Sequence, residues 1–194
     1  MENTISNTKI TIDEWHRQNT LLKQDDTPPL NQGFATFFLN RTNRSGILKA
    51  GVIGGLNQTG SYKLDCRFNK ADLIRRIERI GNVARKIHVT NFDTETWLPM
   101  IDNLVPPNSL IYLAPPYYEQ GQGLYRNFYR HQDHLNIQKR LDDIKTSWIV
   151  SYDNNSNIKE IYQKYRQKEY TLNYSANKKI KATEIVIYRD NLIL

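Results

Sequence analysis

Short apolar runs alternate with helical stripes through the C-terminal half of this chain, and that alternation narrows the choice of folds more than any other feature. Ile87–Asn91, Leu110–Leu113 and Trp148–Tyr152 read as short buried strands, and Leu135, Ile137, Leu141 and Ile144 form a helical stripe between the second and third. A further helix is expected through Ile158, Ile161, Tyr162 and Tyr165. Two last strands, Tyr170–Tyr174 and Glu184–Tyr188, are joined by the Lys-rich loop Ala176–Ala182, which suits a hairpin. Strands alternating with helices predict an α/β fold with a mostly parallel sheet, and such sheets bind ligands beyond the carboxyl ends of their strands.

Upstream, Thr11 and Glu14 have capping-box spacing ahead of Trp15, Leu21 and Leu22, which predicts a helix that must end before Thr27-Pro28-Pro29. Residues 34–39 are apolar enough to be buried, whereas residues 40–63 turn polar and Gly-rich and look like an exposed insertion. Asn69 then caps a second helix, with Asp72 at N3 and Leu73, Ile74, Ile77 and Ile80 on one face. At 194 residues there is room for one sizeable domain and a small insertion.

One of the predicted strand ends carries an unusual loop. Ile111-Tyr112-Leu113 runs into Ala114-Pro115-Pro116-Tyr117-Tyr118, so a buried strand stops at a stiff Pro-Pro pair that presents aromatic rings. Four other segments combine aromatic residues with polar or charged ones. They are Phe37-Phe38-Leu39-Asn40-Arg41-Thr42-Asn43-Arg44-Ser45-Gly46, Cys66-Arg67-Phe68-Asn69-Lys70, Leu124-Tyr125-Arg126-Asn127-Phe128-Tyr129 and Trp148-Ile149-Val150-Ser151-Tyr152-Asp153.

In order and spacing these segments resemble the adenine-N6 DNA methyltransferase (Dam-like) family over roughly residues 11 to 190. The resemblance implies an incomplete doubly wound, Rossmann-like methyltransferase sheet with a DNA-recognition insertion and a C-terminal β-hairpin. It divides the chain into a helical segment over 1–33, a DNA-recognition-like region over 34–80 and a partial methyltransferase core over 81–194. Family members carry Asp-Pro-Pro-Tyr at the strand end. There the Asp side chain and a prolyl carbonyl accept hydrogen bonds from the adenine amine, and the Tyr stacks on a base flipped out of the duplex. Ala114 stands at the degenerate Asp position, and Pro115, Pro116 and Tyr117 remain. The resemblance places Asp93 against the adenine ring of the cofactor. It makes Arg41, Asn43, Arg44, Ser45, Arg67, Asn69 and Lys70 DNA contacts, and it puts Tyr125 and Arg126 in a segment that closes over the flipped base. A Phe-x-Gly-x-Gly turn that would cradle S-adenosylmethionine is absent from these residues, so the cofactor is expected only if a partner supplies that turn.

Net charge is +7 and the pI is about 9.4, which favours an anionic partner, with DNA first. Gly51-Val52-Ile53-Gly54-Gly55 lacks the Gly-x-Gly and Lys-Ser/Thr features of nucleotide loops. His131 and His134 have no third ligand placed for zinc, so no metal is expected. A single Cys66, no leader-like apolar stretch and apolar runs of only a few residues point to a reducing cytoplasm. The expected function is that of a catalytically impaired methyltransferase relative, serving as a DNA-binding or scaffold subunit of a restriction–modification or phage-defence assembly. Two alternatives are the C-terminal half of a split, or an experimentally inactivated, adenine-N6 DNA methyltransferase, the split form completed by a second protein chain, and a structural remnant that stabilises an effector without touching DNA.

Overall fold

The computed structural model describes residues 2–119, 128–174, 180–190 and 192, and the chain divides into two compact units, Met1–Val89 and Thr90–Leu194.

The first unit is helical: α1 (Glu2–Asn7), α2 (Ile12–Leu21), α3 (Pro29–Thr42) and α4 (Lys70–Asn82). Thr11 caps α2 by accepting the Glu14 amide at 3.2 Å, and Pro29 opens α3 at a position where its missing N–H costs nothing. Residues expected in the helical segment 1–33 share one core with residues of the region 34–80: Ile5 and Trp15 belong to the same buried cluster as Phe34, Phe38, Phe68 and Leu73. Residues 40–63 are less exposed than their composition predicts, because Thr42, Asn43 and Val52 are buried and Asn43 forms an antiparallel bridge with Val52. Gln58 holds the rest of this loop by donating to the Ile53 carbonyl at 2.8 Å and accepting the Leu64 amide at 2.9 Å. Gly54 sits there at φ 83°, and a Cβ would lie 2.6 Å from the Tyr62 carbonyl oxygen, so the turn requires glycine. On α4 the expected stripe is only partly buried: Leu73 is enclosed, whereas Ile80 is exposed near the helix end.

The second unit is a mixed α/β layer. Its elements are α5 (Thr94–Trp97), α6 (Ile101–Leu104), β1 (Leu110–Leu113), α7 (His131–Asp143), β2 (Ser147–Asp153), α8 (Ser156–Ile161), β3 (Arg166–Tyr174) and β4 (Ile180–Tyr188). The sheet order is β1-β2-β4-β3, with β1 parallel to β2 and β4 antiparallel to both of its neighbours. The sheet is therefore mixed, where a mostly parallel one was expected. Only a few residues separate β3 from β4, too few for a parallel crossover, so those two strands must run antiparallel. Trp148, Val150 and Tyr152 alternate inward along β2 and pack with Ile137 and Leu141 of α7. Helix α8 stops at Ile161, earlier than the stripe predicted, and Tyr162 enters the core from the turn that follows.

Ile87–Asn91 forms no strand. The segment has no ladder partner among the described residues and Val89 is 88% exposed. An apolar alternation becomes a strand only where a neighbour satisfies its backbone N–H and C=O groups. Among the described residues no helix is long and apolar enough to cross a membrane.

Candidate functional site

Strand β1 stops at Ala114 because Pro115 and Pro116 have no N–H to offer a ladder. The three residues after them are tied down by acidic side chains from the neighbouring strands. Asp153, the last residue of β2, accepts the Tyr118 amide at 2.8 Å and the Glu119 amide at 3.3 Å. Glu184 of β4 accepts the Tyr117 hydroxyl at 2.8 Å and also the Tyr170 hydroxyl. Asp153, Glu184 and Tyr170 stand in one register row across β2, β4 and β3, so the sheet itself spaces these groups. Ala114 is exposed at the strand end and presents only a methyl group.

A hollow of about 250 Å³ opens beside this loop, lined by Thr94, Trp97, Ile111–Pro116, Tyr129 and Ile137. Tyr117 does not line it. Its walls are polar and apolar in about equal measure, and the Thr94 side chain hydrogen-bonds the Tyr129 hydroxyl. Burial raises the pKa of that phenol. Below the loop His134 is fully buried, with its ring against Tyr118, Tyr129 and Tyr152. Its Nδ1 lies 3.1 Å from the Tyr152 hydroxyl, and its Nε2 has no hydrogen-bond partner among the described residues. Burial pushes the His134 imidazole below its ordinary range. The His131 Nδ1 meets the Tyr118 hydroxyl at 2.8 Å, and no group of three or more potential metal ligands occurs among the described residues.

These residues do not fit S-adenosylmethionine by themselves. The hollow lies below the roughly 300–1,000 Å³ usual for enclosed ligands of drug size. Asp93, expected against the cofactor, caps α5, with one carboxylate oxygen accepting the Glu95 and Thr96 amides at 2.9 and 3.4 Å.

The residues expected to meet DNA fall into three groups in the first unit. Arg44, Ser45 and Asn69 are exposed, with Ser45 held at φ 55° and Asn69 capping α4 through the Asp72 amide. Arg41, Arg67 and Lys70 are half-buried. The Arg41 guanidinium donates twice to the Arg67 carbonyl, at 2.9 and 2.8 Å, and Lys70 donates to the Ser6 carbonyl. Burial, with Arg67 and Arg76 nearby, lowers the Arg41 pKa. Asn43 is the correction: it is fully buried, accepts the Trp15 indole N–H at 2.6 Å and donates to the Ile47 and Leu48 carbonyls, so its donors are used inside the fold. Tyr125 and Arg126 lie outside the described residues.

Sequence reasoning missed Glu184 and Tyr170. The available signal was a carboxylate opening the otherwise apolar run Glu184–Tyr188, which a purely structural strand has no reason to bury. Charge is also unevenly placed: residues 41–86 hold eleven Lys and Arg against three Asp and Glu, a local excess of +8 in a chain of +7.

The family model described as D12 class N6 adenine-specific DNA methyltransferase matches residues 5–179. No curated protein sequence matches the chain.

Proposed function

The chain belongs to the D12 class N6 adenine-specific DNA methyltransferase family, and from that premise we propose that these residues engage DNA and hold a base without transferring a methyl group by themselves. Ala114 carries this reading. Family chemistry needs a carboxylate where the adenine amine gains positive charge, and here a methyl group occupies the strand end. Removing one preorganised polar group of this kind costs roughly a hundred- to a thousandfold in rate. Asp153 and Glu184 do not stand in for it, since both accept hydrogen bonds from residues 117–119. The family uses S-adenosylmethionine, and these residues bind it only where a partner supplies the glycine-rich turn. Arg44, Ser45, Arg67, Asn69 and Lys70 supply contacts to the phosphate backbone. Tyr117 supplies a stacking ring, worth about 1–3 kcal/mol per base.

The test pairs duplex binding with methyl transfer. The chain should bind duplex DNA at low salt and transfer no methyl group from labelled S-adenosylmethionine. Methyl transfer by the unaltered chain overturns the inactive reading, and absence of binding at low salt overturns the DNA reading.

The free edge of β1 favours a second reading, in which the chain is one part of a split methyltransferase. Among the described residues β1 pairs with β2 alone, and Leu110 and Tyr112 are exposed on it. A polypeptide bringing the glycine-rich turn and a strand for this edge should give methyl transfer with Ala114→Asp far above that with Ala114. If the restored pair stays silent, this second reading fails.

A further inference from the structure

The tether between Tyr117 and β4 is not accounted for by the fold alone. A tyrosine on a loop beyond a strand end gains full hydration of its hydroxyl by pointing to water, yet Tyr117 turns its hydroxyl to a carboxylate that is only 7% exposed. Glu184 sits in the register row that also holds Asp153 and Tyr170, and it takes the Tyr170 hydroxyl on its second oxygen. Asp153 in turn fixes the backbone of the next two residues, through the amides of Tyr118 and Glu119. Backbone and ring of the Pro-Pro-Tyr loop are thus held from two adjacent strands, each by a charged acceptor. A charged acceptor makes shorter and stronger hydrogen bonds than a neutral one. A ring fixed in this way loses little further freedom when a base stacks on it, and that is how preorganisation raises affinity.

We infer that Glu184 is a positioning residue that holds the Tyr117 ring ready to stack on a base extruded from DNA. The inference rests on the reading of Tyr117 as the stacking residue, and it adds a determinant in β4, about 70 residues along the chain from the loop. Glu184 touches no base itself. Its effect should appear as preference for an extruded base, with the backbone-driven affinity left alone.

The experiment compares two duplexes of one sequence by fluorescence anisotropy, one fully paired and one carrying a single bulged adenine, which is already extruded and needs no known recognition site. The unaltered chain should prefer the bulged duplex. Tyr117→Leu should remove that preference. Tyr117→Phe keeps a ring but cuts the tether, and Glu184→Ala cuts it from the other end. Each should lower the ratio of bulged- to paired-duplex affinity by roughly three- to tenfold, the scale of one ordinary net hydrogen bond and the least expected of a charged one. Because both remove the same bond, the double variant should be no worse than either single one. Glu184→Gln, which keeps an acceptor, should restore much of the loss. Should Glu184→Ala fail to fold, Tyr117→Phe carries the test on a half-buried ring. Additive losses in the double variant, or an undiminished preference in either single one, overturn the positioning role while leaving the stacking reading intact. Equal binding of both duplexes by the unaltered chain overturns the stacking reading and this inference with it. Failure to bind either duplex overturns the DNA reading itself.

Discussion

His134 is a base held neutral by its surroundings. Its ring is enclosed by Tyr118, Tyr129 and Tyr152, and the charges that reach it are those of Asp133, Asp153 and His131. Burial outweighs the two carboxylates and lowers its pKa in the folded state. The unfolded chain, with an ordinary imidazole near pH 6.5, then binds a proton that the native state refuses. The stabilisation is complete above about pH 6.5 and is lost as pH falls toward the lowered native pKa, at about 1.4 kcal/mol per pH unit across that interval. Unfolding free energies from urea titrations at several pH values should show this slope below about pH 6.5, and His134→Gln should flatten it. An unchanged slope in the variant would mean that the ring takes up its proton as readily in the native state as in the unfolded chain.

At the scale of elements, β1 differs from β2 in one respect that can be measured. β2 has a neighbour on each side, whereas β1 has one among the described residues. Amide exchange followed by mass spectrometry should therefore show β2 and β4 protected longest and β1 exchanging early. A chain that fills the β1 edge should extend protection to β1 and leave β2 unchanged. Equal protection of β1 and β2 in the isolated chain would mean that something already covers the edge. The elements legible in the sequence were those whose pattern is self-sufficient: Thr11 and Asn69 as caps, the α7 stripe, and the apolar runs of β1 and β2. Ile87–Asn91 failed because an apolar alternation says nothing about whether a neighbour exists to complete its ladder. The antiparallel pairing of β4 with β2 was missed because periodicity does not report which strand another docks against. At the site, the Pro-Pro-Tyr loop was legible from proline chemistry. The burial of Asn43 was not, since the same side chain serves a phosphate or an indole N–H and only the fold decides which.

Over the whole molecule, the two units carry very different charge. Met1–Val89 holds fourteen Lys and Arg against eight Asp and Glu, whereas Thr90–Leu194 holds thirteen against twelve. A surface that binds DNA through its phosphates releases counterions, and log K falls against log salt with a slope near −0.9 for each duplex phosphate contacted. If the basic excess of the first unit is the electrostatic footprint, its exposed cations should set that slope. Arg44 and Arg79 suit the test because both are exposed. Changing them together to Gln should flatten the slope by as much as about 1.8, with paired-duplex affinity falling alongside it. Lys139→Gln with Lys145→Gln removes the same two charges from exposed positions of the second unit and is the matched control. That pair should lower affinity only through net charge, a long-range effect screened beyond about 8–10 Å at ordinary salt, and should leave the slope almost where it was. Equal slopes in the two double variants would assign DNA affinity to the overall charge of +7 and remove the first unit's claim to a specific nucleic-acid surface. A slope that falls only in the first unit would place the backbone contacts there and leave the Pro-Pro-Tyr loop of the second unit to act on the base.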